Sequence, residues 1–108
     1  MANTFKLKTK ANIGVTTVGI YTVPSATQTT AIGLVVANKT LGTVTANVRI
    51  GRSGSNYSIV EQAPILTGSS LVVIGGDQKL VLKASDSIQV TSSVVGSADA
   101  ILSVLEIS

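Results

Sequence analysis

Valine and isoleucine dominate the apolar residues of this 108-residue chain, with 15 and 10 copies respectively. Side chains branched at Cβ crowd the turns of a helix but pack well on a pleated sheet, so this excess favours strands along the whole chain. Apolar and polar residues also alternate with a period of two over residues 5–13. A helix cannot satisfy that period, and the chain is therefore predicted to be all-β.

Turn-forming residues divide the chain into eight or nine short strands. Glycine, proline, asparagine, aspartate and serine cluster at residues 23–25, 38–42, 51–56, 75–77 and 84–86, and these residue types favour turns. Strands spaced about 8 to 12 residues apart, without a helical segment, are typical of a β-sandwich. We predict one antiparallel β-sandwich domain over residues 1–108, with an immunoglobulin-like or a jelly-roll topology.

Two predicted strands are apolar on both faces. In AIGLVVAN, residues 31–38, alternate side chains on either face are apolar, and the same holds for AILSVLEI, residues 100–107. Loops that fold over these strands, or a central position in a thick sandwich, would explain the pattern. A sandwich has only two inner faces, however, so we predict that the second faces form a subunit interface in a homo-oligomer. The predicted interface consists of Ala31, Gly33, Val35, Ala37, Ile101, Leu105 and Ile107.

The residue types that most enzymes use are missing from this sequence. Cysteine and histidine are both absent, which excludes thiolate nucleophiles, histidine-based triads and the usual transition-metal ligands. The carboxylates are far apart in sequence, and most lie beside predicted turns, where acidic side chains commonly form local hydrogen bonds. We therefore predict no enzymatic activity, no metal and no cofactor. The carboxylates are Glu61, Asp77, Asp86, Asp99 and Glu106.

Basic residues suggest contact with a protein partner. Lys6, Lys8 and Lys10 alternate with apolar residues, and we predict that the lysines point outward while Phe5 and Leu7 point inward. Such a row either protects an edge strand from aggregation or docks on an acidic surface. The predicted partner-binding residues are Lys6, Lys8, Lys10, Arg49 and Arg52.

Nucleic acid and membranes are not predicted partners. The net charge is only +3, and aromatic residues make up 3% of the chain, too few to form a base-stacking platform. The longest apolar run has four residues, against the roughly 20 needed to span a bilayer. The basic start MANTFKLKTK is followed by no apolar stretch of the signal-peptide type.

The segments FKLKTKANIG, YTVP, IGLVVANKT and LTGSSLVVIGGDQKLVLKASDSIQVTSS occur in this order. Together they resemble small structural proteins of tailed bacteriophages, especially of marine and cyanobacterial phages. The resemblance implies a β-sandwich that decorates or cements the capsid and binds the major capsid protein, in a virion assembled in the host cytoplasm. It equally fits a tail, baseplate or fibre component bound to tail proteins. A carbohydrate-binding module is a further alternative, although such sites usually need more exposed aromatic rings.

Overall fold

The computed structural model describes residues 3–75 and 79–108, and this part of the chain contains nine strands and no helix. The all-β prediction is confirmed. Asp77 and most of the predicted turn at residues 75–77 lie outside the described residues. The strands are β1 (Asn3–Ile13), β2 (Val18–Thr22), β3 (Gln28–Asn38), β4 (Val44–Arg52), β5 (Ser55–Ile65), β6 (Ser70–Ile74), β7 (Leu80–Leu82), β8 (Ser87–Ser92) and β9 (Ala98–Ile107).

The strands form two antiparallel sheets. The five-stranded sheet has the order β1-β9-β3-β6, with β7 pairing with the other half of β3, and the four-stranded sheet has the order β2-β8-β4-β5. Only the hairpin of β4 and β5 joins two strands that are neighbours both in sequence and in a sheet. An immunoglobulin-like sandwich would contain several such hairpins. Because the chain changes sheet at almost every connection, the topology is that of a jelly roll.

The core lies between the two sheets and consists mainly of alternate residues of the inner strands. Leu34, Ile88 and Leu102 are fully buried there, at 0% exposure. Strand β1 contributes little, since Ile13 is its one member of the buried cluster. The edge strand β1 is therefore held mainly by its backbone ladder with β9 rather than by packing.

A β-bulge in β3 corrects one predicted interface residue. The register of β3 against β9 shifts between Ala31 and Gly33. A bulge inserts one extra residue and so reverses which side chains face inward. Before it, Thr29 and Ala31 are buried, whereas beyond it the buried residues include Leu34. The prediction that Ala31 lies on the outer face is therefore wrong, because Ala31 is in the core at 0% exposure.

The predicted orientation of β1 is also wrong. Phe5 and Leu7 are 75% and 63% exposed, and Phe5 is paired with Leu105 on the outside of the sheet. The lysines lie in register with inward-facing residues of β9, as Lys8 does with Leu102. At an edge strand the inner face borders on solvent, so the aliphatic part of a lysine side chain can lie along that face while its ammonium group reaches water.

Candidate assembly surface

The outer face of the five-stranded sheet is apolar and uncovered. We call it the outer face; it consists of the side chains of β1, β9, β3, β6 and β7 that point away from the core. The register of the strands places these residues side by side, because directly paired residues share a face. Its large apolar members are the exposed Phe5, Leu7, Val72, Val81 and Ile101 and the half-buried Ile32, Val35, Leu105 and Ile107.

Two apolar rows cross the outer face at right angles to the strands. Between them runs a third row, in which Ser103 of β9 and Gly33 of β3 are small, while Ile32, the unpaired residue of the bulge, stands beside Gly33 and does not pack against the core. The first apolar row is Phe5, Leu105, Thr30 and Val81, the second is Thr9, Ile101, Val35 and Val72, and the row between them is Leu7, Ser103 and Gly33.

The charged side chains described on the outer face lie at one end of the strands and along the edge of the sheet beside β7. Among the described strand residues of this face, Asp99 is the one ionisable side chain, and its carboxylate lies 3.0 Å from the ammonium group of Lys39. The backbone N–H of Asn12 donates to the same carboxylate at 3.0 Å. This hydrogen bond, and then Lys39, lower the pKa of Asp99. Lys79 and Lys83 flank β7 at the edge of the sheet.

Most residues of the predicted interface meet on this face. Gly33, Val35 and Ala37 follow the bulge in β3, and Ile101, Leu105 and Ile107 are contributed by the adjacent β9. Sequence reasoning missed the contributions of the other strands, namely Phe5, Leu7, Val72 and Val81. Alternation in β1 did indicate an apolar face, but alternation alone does not say which face points inward.

The predicted lysine row lies elsewhere, at the open edge of the sandwich beside β2. Lys6 binds Glu106 at 3.0 Å, and Glu106 accepts a hydrogen bond of 2.6 Å from the hydroxyl of Tyr21 on the opposite sheet. The Lys8 ammonium group lies 6.0 Å from the centre of the Tyr21 ring. Lys10 is exposed. The lysine row thus points to a different side of the molecule from the outer face.

A buried polar cluster of Tyr21, Thr29 and Glu106, with the exposed Lys6 paired to Glu106 at its edge, connects the two sheets. Tyr21 and Glu106 are 6% and 8% exposed. Because the phenolic proton goes to Glu106, Thr29 donates its own hydroxyl proton to the Tyr21 oxygen at 2.9 Å. Burial, followed by the contact with Glu106, raises the pKa of Tyr21 to about 12. The hydrogen bond from Tyr21, and then Lys6, lower the pKa of Glu106.

This cluster predicts a loss of stability in acid. The pKa of Glu106 is lower in the folded protein than its ordinary value of 4.5, so its contribution is complete above pH 4.5 and is lost as the pH falls through the folded pKa. Urea unfolding should show Glu106→Gln to be less stable than the parent at pH 7, with the two proteins converging as the pH falls below 4.5. Asp99 titrates in both proteins and cancels from the difference. A difference that stays constant with pH would contradict the role given to the carboxylate.

The predicted arginines do not join the lysine row. Arg49 lies on the outside of the four-stranded sheet, where its Nε donates to Gln89 at 3.0 Å and its Nη2 to Thr17 at 3.4 Å. Arg52 ends β4 and lies 3.6 Å from Asp86. It borders an open cleft of about 580 Å³ that also contains Tyr57. The predicted basic residues therefore occupy separate surfaces.

Residues 3–75 and 79–108 contain no group of three or more acidic side chains placed to hold a metal ion. Within the same part of the chain, no helix is long and apolar enough to cross a membrane.

Comparison with solved structures supports the fold. A chain of the Bacillus endospore appendages, a family of disulfide-linked pili, aligns with a TM-score of 0.58 and 14% identity over 99% of this chain and 87% of its own. A chain of the T13 particle of infectious bursal disease virus aligns with a TM-score of 0.58 and 10% identity over 96% of this chain. A chain of the Gx strain of that virus gives a TM-score of 0.54 at 12% identity over 95% of this chain.

The protein spans about a third of the length of the two viral chains, 30% and 32%. At these identities the similarity is one of fold. No family model matches the sequence, and no curated protein matches it.

Proposed function

We propose that this protein is a non-enzymatic structural subunit of a multi-copy particle. The observation that carries the proposal is the outer face, where large apolar side chains from all five strands stand uncovered. Exposed apolar patches of this extent on a single chain mark contact surfaces. The similar folds belong to chains of a pilus and of virus particles, and both kinds of object are built from repeated copies.

The particle we propose is the virion of a tailed phage, in which the protein decorates or cements the capsid after assembly in the host cytoplasm. A decoration subunit needs one surface for the shell and another for its neighbours. The outer face and the lysine row supply two such surfaces on different sides of the sandwich. The apolar surface serves contact between subunits, and the basic edge serves docking on the acidic groups of a major capsid protein.

Contacts between copies of this chain do not depend on disulfides. The chain contains no cysteine, in contrast to the disulfide-linked pili whose fold it resembles. Association between copies therefore depends on apolar packing and on charge. Both kinds of contact are non-covalent, so a dilution experiment that reverses the association tests them directly.

Docking through the lysine row predicts that Lys10→Glu lowers the occupancy of the protein on purified phage capsids. Lys10 is exposed and lies outside the buried polar cluster, so this change leaves the fold intact. Binding of the parent should also weaken with added salt, which shortens the Debye length from about 10 Å at 0.1 M. Occupancy is measured by quantitative gel analysis of sedimented particles.

The matched control is Thr45→Glu, which introduces the same carboxylate on the outside of the four-stranded sheet, away from both the lysine row and the outer face. Equal occupancy for Lys10→Glu and the parent would reject the lysine row as the docking surface. Immunogold labelling of intact virions tests the position itself. If the label were confined to tails, the protein would be a tail, baseplate or fibre component rather than a capsid protein.

A further inference from the structure

We infer that the outer face binds the outer face of a second copy, in a two-fold symmetric pair whose axis passes close to Ser103. This inference rests on the proposed structural function and names the partner of its apolar surface. Three properties of the face favour a second copy over a different protein: its size, its charge and the order of its rows.

The size of the outer face matches one side of a stable protein interface. Strands lie about 4.8 Å apart and rise about 3.3 Å per residue, and β9 has 10 residues in a sheet four strands wide. The flat footprint is therefore on the order of 600 Å², and protruding side chains such as Phe5 increase the accessible area. A standard interface buries about 800 Å² on each partner.

The charge of the outer face allows it to pack against itself. Two copies of a face rich in one sign of charge would repel each other, and a face with unpaired charge would pay a desolvation penalty. Here the carboxylate of Asp99 already has Lys39 and the Asn12 N–H as partners within its own chain. Lys79 and Lys83 lie beside the edge strand β7, where a polar rim is normal for an interface.

The rows of the outer face are arranged for two-fold packing about their middle. Ser103 lies midway between Ile101 and Leu105 on β9, and Gly33 is its partner on β3. Rotation by half a turn about an axis that lies in the interface and runs along the middle row through Ser103 brings Ile101 of one copy opposite Leu105 of the other. Each apolar row then meets an apolar row of the second copy, and Ser103 of one copy lies close to Ser103 of the other at the axis. Such an interface is isologous and closes at two copies.

The absence of cysteine from the chain makes thiol cross-linking a direct test. We propose Ser103→Cys, treated at micromolar concentration with a short bismaleimide that joins two thiols. The matched control is Thr45→Cys, since Thr45 points outward from β4, an inner strand of the four-stranded sheet. We expect Ser103→Cys to give a band of twice the monomer mass on a denaturing gel, and Thr45→Cys to remain monomeric.

Light scattering of the unmodified protein separates the two proposals. An associated protein in which Thr45→Cys cross-links and Ser103→Cys does not would overturn the two-fold pair but leave the structural function standing. A monomer at every concentration would also overturn the pair, and the proposed function would then depend on the particle-binding and labelling experiments alone. A mass above that of a dimer in light scattering of the unmodified protein would contradict the closed two-fold geometry.

Discussion

Lysine in place of Val35 is expected to dissociate the assembled protein into monomers. Val35 stands in the second apolar row of the outer face, between Ile101 and Val72. An ammonium group buried there without a partner would cost several kcal/mol, and each 1.4 kcal/mol changes a dissociation constant about tenfold. The expected weakening is more than about a hundredfold, measured by light scattering over a dilution series. Leu105→Lys should have the same effect through the first row.

Thr45→Lys is the control for these two substitutions. It introduces the same charge on a central strand but on the outside of the four-stranded sheet. The folded state of each variant is checked by circular dichroism and urea unfolding, because outward positions in a sheet should tolerate lysine without loss of the fold. If Thr45→Lys lowered the mass while Val35→Lys preserved it, the outer face would not be the contact surface.

Replacing Asn38 by leucine is expected to destabilise the fold by about 3 kcal/mol or more. Asn38 ends β3 and is 3% exposed. Its amide nitrogen donates to the carbonyl oxygens of Gly42 at 2.8 Å and Ile65 at 2.9 Å, and its side-chain oxygen accepts from the backbone N–H and the hydroxyl of Thr40 at 2.9 and 2.8 Å. Leucine has a similar size but makes none of these four hydrogen bonds, each worth about 1 kcal/mol, although the Thr40 hydroxyl still donates to the Gly42 carbonyl at 3.0 Å.

Urea unfolding at neutral pH measures this effect, with Asn56→Leu as the matched control. Asn56 is exposed near the start of β5, so the same substitution there should change the free energy of unfolding by less than about 0.5 kcal/mol. Similar losses in the free energy of unfolding at the two positions would show that the Asn38 side chain does not stabilise the contact between the β3–β4 connection and the end of β5.

The class of fold and the apolar second faces were readable from the sequence because both depend on local patterns. Residues with branched Cβ atoms and a period of two indicate strands wherever they occur. Strands β3 and β9 carry apolar residues on both sides within a few positions, so the need for a covering partner was visible without knowledge of the sheet order.

The orientation of β1 and the burial of Ala31 were not readable because both depend on distant strands. The lysines face inward only because β1 pairs with β9 in a particular register at the edge of the sheet. The bulge between Ala31 and Gly33 reverses the alternation within β3, and the glycine inside an otherwise regular strand was its one local signal. The buried carboxylate of Glu106 finds the Tyr21 hydroxyl 85 residues away in sequence.

The position of β9 in the sheet also determines when the outer face comes into existence during protein synthesis. β9 follows the other eight strands of the described residues, yet it holds both β1 and β3 in place. Until β9 leaves the ribosome, β1 has no strand to pair with, and the two apolar rows lack the residues that β9 contributes. A nascent chain without β9 therefore lacks the complete outer face. The strand order thereby delays completion of the outer face until the last described strand is in place, and folding waits for contacts between distant parts of the chain.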